Sequence, residues 1–338
     1  MFGPFKLAVL GAAAAVLYEA LVPVMVPDVE GNAASKGSLQ VAIDTGKQDS
    51  RVVLLFVHGW PDNAKVWKKQ LDHFAGLGYR CVAAELPNSG SSGEQVRAGY
   101  DFEVVASQLM NLAASLRGDE RSLVLIGHDW GAWIGYMAQR KAPHLFDAMV
   151  PMDVAPGYGP VGFDVAWRVG FYQFVAMTCF NIGRLPYLQE PADYILRAFV
   201  RGFLGPLSRW GEAGEQLSPT PFEEMTAAMG WPYWHTLKPP KFFYRAQWRT
   251  QGLQGWCNCA DDAKLEGEIP SCPTLLLYGD APSALPLTGR YFVEALAAKG
   301  GPLRYAKAFN SHHWFFYWRS EEVNQAIEGF LAKAELTA

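Results

Sequence analysis

Residues 122–131 constrain the fold of this chain more than any other segment. An apolar run ends in Gly-His-Asp-Trp-Gly at positions 127–131, and a pattern typical of a helix follows over 132–139. Gly127 and Gly131 tolerate a sharp backbone turn and a close approach of neighbouring chain that a Cβ atom would prevent. The segment therefore predicts a strand, a tight turn and a helix, with the side chain of Asp129 presented above the end of a sheet.

The carboxylate at this turn limits the chemistry. A side chain presented on a strained strand–turn–helix connection is the arrangement of a nucleophile elbow. An aspartate nucleophile attacks saturated carbon and leaves an alkyl ester on the enzyme, whereas serine at the same place would indicate acyl transfer. The sequence therefore predicts that Asp129 is a nucleophile.

The rest of the chain alternates short apolar strands with helices, which favours a parallel sheet covered by helices on both faces. Besides the strand before Asp129, we predict strands over 51–57, 79–85, 146–153, 274–278 and 303–309, and helices over 62–77, 102–116, 132–139, 287–298 and 321–333. This regularity stops between residues 154 and 263, where aromatic residues, proline and glycine are frequent. We predict a core of residues 39–153 and 264–338, with a mostly helical lid of residues 154–263 inserted between two strands. A length of 338 residues suits one large domain with such an insertion.

Residues 1–38 differ from the rest of the chain. Residues 7–26 are apolar apart from Tyr18 and Glu19, and Lys6 precedes them. Such a stretch is just long enough to span a bilayer as a helix, but Glu19 and Pro23 weaken that interpretation. We favour a membrane-associated anchor, an endomembrane being one location for it, with a cleaved secretory signal and a soluble N-terminal helix as the alternatives. The polar residues 30–38 are interpreted as a linker.

Composition argues against several other classes of function. The formal net charge is −4 and the sequence has no basic block, so nucleic acid is not an expected partner. The five cysteines form no disulfide framework, and Cys257-x-Cys259 lacks the second pair of ligands that a metal site would need. We interpret those two cysteines as structural or incidental.

Four motifs in chain order extend the interpretation of Asp129. They are His-Gly-Trp-Pro at 58–61, the elbow at 127–131, Asp153 after the next strand, and His313-Trp314 after the last strand. Together they resemble the α/β-hydrolase superfamily, in particular its Asp-nucleophile branch of epoxide hydrolases and haloalkane dehalogenases. The resemblance covers about residues 39–335, strongly in the core and weakly in the lid. It implies an α/β-hydrolase fold, with a mostly parallel sheet, helices on both faces and an inserted helical lid.

The same resemblance implies roles for the motif residues. Asp129 is the nucleophile, and the backbone N–H groups of Trp60 and Trp130 form the oxyanion hole. Histidine suits the base that activates water for ester hydrolysis, because its pKa lies near neutrality. The family places an aromatic residue directly after this histidine, which selects His313 over His312.

The acid that orients the histidine has two candidates. Many relatives carry it after the strand at 274–278, but alignment of this loop places Pro282 there, and proline has no carboxylate. Other relatives carry it after the strand that follows the elbow, where this chain has Asp153. We prefer Asp153, with Asp280 as the alternative, since a triad is defined by geometry and not by chain order.

Epoxide hydrolases also use two lid tyrosines that hydrogen-bond the epoxide oxygen. Tyr244, in Phe-Tyr-Arg-Ala, matches the second of them. At the position where the family has the first of these tyrosines, this chain has Arg184. Tyr187 is nearby but does not align with the family's tyrosine. Aromatic side chains predicted to contact the substrate are Tyr187, Trp133, Trp231 and Tyr233.

The resemblance thus predicts a hydrolase that opens an epoxide of a lipophilic substrate to a diol through an Asp129 alkyl-enzyme ester. It implies neither a metal nor an organic cofactor. A haloalkane dehalogenase with the same nucleophile is the first alternative. A non-catalytic ligand-binding protein on a hydrolase scaffold is the second.

Overall fold

The structure is a computed structural model that describes residues 37–90, 99–156, 163–204, 218–237, 269–281, 287–288, 290–299 and 301–338. The described residues form one seven-stranded sheet in the order β1-β3-β2-β4-β5-β6-β7. Its strands are β1 (Gln40–Gly46), β2 (Val52–Val57), β3 (Arg80–Glu85), β4 (Ser122–His128), β5 (Ala148–Met152), β6 (Thr274–Gly279) and β7 (Arg304–Phe309). β1 pairs antiparallel with β3, and every other neighbouring pair is parallel.

The central strands are apolar because the sheet is covered on both faces. All six residues of β2 and all five of β5 are buried, as expected where a parallel strand has no solvent-facing side. β1 is half exposed at the edge of the sheet, so it lacks the continuous apolar run that predicted its neighbours. The sequence interpretation did not include β1 for that reason.

The described helices are α1 (Lys68–Gly76), α2 (Phe102–Arg117), α3 (Trp130–Lys141), α4 (Phe163–Arg184), α5 (Gln189–Phe199), α6 (Trp231–Leu237), α7 (Arg290–Lys299), α8 (Phe315–Trp318) and α9 (Ser320–Lys333). α1 packs with α9, α2 packs with α3, and α7 packs on β7. The helix predicted over 62–77 is divided into a 3-10 turn, Ala64–Trp67, followed by α1. The predicted fold class, an α/β-hydrolase fold, is confirmed.

The chain between β5 and β6 is called the insert here. Its described residues contain α4, α5, a π-helical turn at Val200–Leu204, 3-10 turns at Phe222–Glu224 and Ala227–Gly230, and α6. α4 packs against both α5 and α6. Among the described residues, no helix is long and apolar enough to cross a membrane. The apolar residues 7–26, Cys257, Cys259 and Tyr244 lie outside the described residues.

The parallel strands bring the predicted motifs to one edge of the sheet. Trp60 follows β2, Asp129 follows β4, Asp153 follows β5 and His313 follows β7. The carboxyl ends of parallel strands meet at the same edge, which is where open α/β sheets bind their ligands. Residues distant in sequence therefore meet in one place.

Candidate active site

Asp129 occupies a strained turn between β4 and α3. Its backbone has φ 52° and ψ −121°, a conformation that a non-glycine residue adopts at a cost of roughly 1–3 kcal/mol. The turn is tight on both sides. A Cβ atom at Gly131 would lie 2.2 Å from the carbonyl oxygen of Val57, and one at Gly59 would lie 2.4 Å from the Asp129 side chain. Glycine at these two positions is what allows the aspartate to stand at the end of β4.

The two carboxylate oxygens of Asp129 have different surroundings. Oδ1 accepts a hydrogen bond from the Trp60 backbone N–H at 2.8 Å. Oδ2 lies 3.8 Å from Nε2 of His313, which is too long for a hydrogen bond. Burial raises the pKa of Asp129, while the His313 charge and the backbone N–H groups of Trp60 and Trp130 oppose that rise. One oxygen is thus held by backbone dipoles and the other faces the imidazole.

His313 is held between two carboxylates in the loop between β7 and α8. Its Nδ1 lies 2.5 Å from Oδ2 of Asp153. Burial favours the neutral ring, but the hydrogen bond and charge of Asp153, with the charges of Asp129 and Asp62, outweigh it. The pKa of His313 is therefore raised above its ordinary value. The Asp153 contact places Nδ1–H toward the acid and leaves Nε2 directed at Asp129.

Asp153 is fixed through both carboxylate oxygens. Oδ2 contacts His313, and Oδ1 accepts the Gly279 backbone N–H at 3.0 Å. The backbone φ of Asp153 is 62°, and its carbonyl accepts the Thr288 hydroxyl at 2.6 Å. The alternative acid, Asp280, is exposed. Asp153 is thus the carboxylate that the structure brings to His313.

Two further histidines support the loops around the site. His128 donates its Nε2–H to the His313 carbonyl at 3.0 Å, and burial, with the neighbouring His313 charge, lowers the pKa of His128 well below its usual value. His58 is engaged through Nδ1 with the Gly59 carbonyl at 2.9 Å and accepts the Leu86 N–H at Nε2. Both residues have structural partners, in agreement with their positions inside motifs.

The insert places two tyrosines over the site, and sequence reasoning proposed only one of them. Tyr172 of α4 stacks on Trp60 at 6.3 Å between ring centroids, and Tyr233 of α6 meets Trp60 edge-on at 5.1 Å. The two tyrosine rings are 5.8 Å apart, and their phenol groups interact with each other. Burial raises the pKa of both, and the charge of Asp129 adds to the effect. Tyr172 follows no motif of the family, so the sequence carried no signal that separated it from packing aromatics.

The other predicted pocket residues have different positions. Trp133 is half-buried and meets Trp130 edge-on at 6.4 Å. Trp231 is buried, and its indole N–H donates to the Pro87 carbonyl at 2.9 Å, so it attaches the insert to the core. Tyr187 is 95% exposed, in a turn with φ 68°. The turn after α4 directs this side chain to solvent, so the structure does not place Tyr187 with the buried pocket residues.

Family comparison agrees with this geometry. Residues 52–320 match the family described as alpha/beta hydrolase fold. That span includes the elbow, both carboxylates and the histidine loop. The chain belongs to the α/β-hydrolase fold family.

Several individual relatives are epoxide hydrolases. The chain is 28% identical over 315 residues to epoxide hydrolase A of Mycobacterium tuberculosis, covering 87% of this chain and 94% of that protein. It is 24% identical over 298 residues to epoxide hydrolase 1 of Caenorhabditis elegans, covering 86% and 67%. Among solved structures, the Bacillus megaterium epoxide hydrolase in complex with an inhibitor aligns with a TM-score of 0.60 at 18% identity, covering 87% of this chain and 96% of that one. At that identity the structural likeness concerns the fold alone.

Proposed function

We propose that this protein is an epoxide hydrolase that acts through a covalent ester on Asp129. The observation that carries the proposal is the arrangement of Asp129, His313 and Asp153. Nε2 of His313 lies 3.8 Å from Oδ2 of Asp129, and its Nδ1 lies 2.5 Å from Oδ2 of Asp153. The similarity to curated epoxide hydrolases over most of the chain supports the same chemistry.

In the first step, Oδ2 of Asp129 attacks an epoxide carbon and the carbon–oxygen bond of the ring breaks. Oδ1 is already held by the Trp60 N–H, so the oxygen that faces His313 is the one available to form the new bond. The ring oxygen leaves as an alkoxide and takes a proton from an acid of the enzyme. Oδ1 then becomes the carbonyl oxygen of the ester, still in contact with the backbone donor.

The second step hydrolyses the ester. His313 takes a proton from water through Nε2, and the hydroxide attacks Cγ of Asp129. Negative charge develops on Oδ1, where the Trp60 and Trp130 N–H groups stabilise it. The bond between Cγ and Oδ2 then breaks, so the diol leaves with Oδ2 and the water oxygen takes its place in the Asp129 carboxylate. Of the two water protons, one protonates the departing alkoxide and the other, passed on by His313, restores the acid of the first step. Asp153 keeps the imidazole in the tautomer that leaves Nε2 free to accept the proton.

We propose Tyr172 and Tyr233 as the donors to the epoxide oxygen. Both phenols are buried beside Trp60 and feel the charge of Asp129. Their raised pKa values keep the O–H groups protonated at neutral pH, which is the state that donates a hydrogen bond to an alkoxide. Tyr244, predicted from its motif for this role, lies outside the described residues and stays a prediction.

The substrate is proposed to be small and lipophilic. Four aromatic rings beside Asp129 contact one another, two of them from the core and two from the insert: Trp60, Trp130, Tyr172 and Tyr233. An apolar site with a few polar groups near the reacting atoms binds neutral organic molecules best.

The test is intact-protein mass spectrometry of a His313→Gln variant incubated with lipophilic epoxides. Without the base, the enzyme accumulates the Asp129 ester, and its mass rises by that of the whole epoxide. His312→Gln and the exposed His144→Gln are matched controls that turn over without accumulating adduct. Absence of adduct from folded His313→Gln across a broad panel would refute the proposal and favour the non-catalytic ligand-binding alternative.

A haloalkane dehalogenase is the second candidate, and one observation favours it. The indole nitrogen of Trp60 is buried without a hydrogen-bond acceptor among the described residues. The Trp130 indole is also buried, and its N–H interacts with the Tyr233 phenol. An indole N–H without an acceptor near the nucleophile suits a departing halide. In the same His313→Gln experiment with haloalkanes, an alkyl adduct that lacks the halogen, with release of halide, would establish this activity.

We further propose that residues 7–26 attach the protein to a membrane surface. Their apolar composition and the preceding Lys6 support the proposal. Flotation of the full chain with phosphatidylcholine vesicles tests it, with Leu10→Glu/Leu17→Glu expected to abolish flotation. Leu77→Glu, at an exposed leucine of the core, is the control that should float like wild type. Failure of the full chain to float would contradict the proposal.

A further inference from the structure

Asp62 is a buried carboxylate that the proposed reaction does not use. It is completely inaccessible to solvent. Oδ1 accepts the hydroxyl hydrogens of Ser218 at 2.6 Å and Thr220 at 2.9 Å. Oδ2 accepts the indole N–H of Trp314 at 2.8 Å.

A buried charge of this kind is retained only when its surroundings satisfy it. A carboxylate without hydrogen bonds in an apolar interior costs several kcal/mol. Among the described residues, no lysine or arginine forms an ion pair with Asp62, so the three neutral donors replace its hydration. Loss of these donors would leave the charge uncompensated, and the segments that carry them are therefore held firmly.

The three hydrogen bonds join the parts of the proposed active site. Asp62 lies two residues after Trp60, and its own N–H donates to the Gly59 carbonyl at 3.0 Å, which fixes the loop after β2. Trp314 directly follows the proposed base. Ser218 and Thr220 begin the described part of the insert that leads to α6.

We propose that Asp62 is a positioning residue that fastens the insert and the histidine loop to the loop after β2, so that the seating of the insert and the alignment of His313 depend on one carboxylate. The part that concerns catalysis rests on the proposed function. Tyr233 is carried by the fastened part of the insert, so the Asp62 contacts contribute to its position relative to Asp129, together with the neighbouring Trp231–Pro87 hydrogen bond.

A second set of contacts joins the same segments but is weaker. Asn63 donates to Glu224 of the insert at 2.7 Å, and Lys65 forms an ion pair with the same carboxylate at 2.8 Å. The Lys65 side chain is 72% exposed, and exposed ion pairs contribute little because water and salt screen them. The buried Asp62 contacts are therefore the stronger of these two sets, and they act beside the buried Trp231–Pro87 hydrogen bond in seating the insert.

The charge of Asp62 has an effect that a purely structural role would lack. The titratable groups that face His313 are Asp153, Asp129, Asp62 and the neutral His128. The negative charge of Asp62 favours the protonated imidazole, so its removal lowers the pKa of the base. The base must be neutral to activate water, and hydrolysis of the ester would then begin at lower pH.

Three variants separate these effects. Asp62→Asn removes the charge but can keep all three contacts, since its carbonyl accepts from the indole and its amide donates to the two hydroxyls. Ser218→Ala/Thr220→Ala releases only the insert, and Trp314→Phe releases only the histidine loop. Ser107→Ala, which removes an exposed hydroxyl from α2, is the control.

Hydrogen exchange measures the seating of the insert, and the pH dependence of single-turnover ester hydrolysis measures the base. In Ser218→Ala/Thr220→Ala we expect amides of residues 218–237 to exchange at least about tenfold faster than in wild type, with the pH midpoint unchanged. In Asp62→Asn we expect wild-type exchange and a midpoint lower by on the order of half a unit to one unit. In Trp314→Phe we expect slower ester hydrolysis with wild-type exchange of the insert.

Unchanged exchange in Ser218→Ala/Thr220→Ala would overturn the proposal for the insert, and ester hydrolysis at the wild-type rate in Trp314→Phe would overturn it for the histidine loop. An unchanged midpoint in Asp62→Asn would overturn the effect of the Asp62 charge on the base. The exchange measurement does not require turnover. If the wild-type enzyme formed no ester with any epoxide, the proposed function would be refuted. The exchange measurement would still show whether the Asp62 contacts hold the insert. The double variant retains Asp62, so it remains decisive even if Asp62→Asn does not fold.

Discussion

The phenols of Tyr172 and Tyr233 offer the sharpest test of the proposed chemistry. Both are buried, and both face the nucleophile from the insert. We predict that Tyr172→Phe and Tyr233→Phe each slow the formation of the Asp129 ester, because each removes one donor to the developing alkoxide and leaves the aromatic ring in place.

The size of the effect follows from burial. Removal of one preorganised donor from a site that excludes water costs roughly 2.7–4 kcal/mol in the transition state, or roughly 10²–10³-fold in rate. The effect on stability is much smaller. Tyr172→Phe loses a long contact, at 3.4 Å from the Gln173 side-chain amide, and the interaction with the Tyr233 phenol. Each such hydrogen bond contributes about 0.5–1.5 kcal/mol or less. The double variant should lose more than either single variant, by a factor that measures how the two donors share one oxygen.

The assay isolates the first chemical step. Each substitution is introduced into the His313→Gln background, where the ester accumulates, and the rate of adduct formation is followed by rapid quenching and mass spectrometry. Tyr136→Phe is the matched control, because Tyr136 is a buried tyrosine of α3 that packs edge-on against Phe292 at 5.8 Å. It should react at the rate of its parent.

One result would refute the assignment of the two donors. If Tyr172→Phe and Tyr233→Phe both formed the ester within about threefold of the parent, the phenols would not contact the leaving oxygen. A large loss in Tyr244→Phe under the same conditions would then move the role to that residue.

Three further predictions concern the core. Asp153→Asn should slow ester hydrolysis by roughly 10³–10⁴-fold, whereas Asp280→Asn, at an exposed carboxylate, should hydrolyse the ester at the wild-type rate. Equal losses in single-turnover hydrolysis would remove the distinction between the two acids. Because the pKa of His313 is raised and the neutral ring is the active form, ester hydrolysis should rise with pH through a midpoint above about 6.5, and a stopped-flow profile flat from pH 5 to 9 would exclude this base. Gly131→Ala should lower the free energy of unfolding in urea by about 3 kcal/mol or more, because its methyl would lie 2.2 Å from a β2 carbonyl oxygen. Gly170→Ala, in open space on α4, should instead raise that free energy by about 0.5–1 kcal/mol. Equal effects of the two substitutions would contradict the steric argument.

Local sequence determined the strand, the turn and the helix that carry the proposed nucleophile. The apolar run before Asp129, with glycines on either side of it, predicted β4, the strained turn and α3, because backbone strain and close approach act over a few residues. Buried strands such as β2 could also be predicted from local sequence, since a strand covered on both faces must be apolar throughout. The half-exposed β1 carries no such run and was not predicted.

Tertiary structure decided which distant side chains meet. The sequence left Asp153 and Asp280 as alternatives, and only the arrangement of β5, β6 and β7 brings one of them within 2.5 Å of His313. Tyr172 reached the site through the packing of α4 over the core, whereas Tyr187, three residues beyond that helix, points to solvent. Helix and turn patterns report which residues are apolar, but not the direction in which an inserted helix places each side chain. That direction is set by long-range contacts such as those of Asp62, whose partners lie more than 150 residues away in sequence.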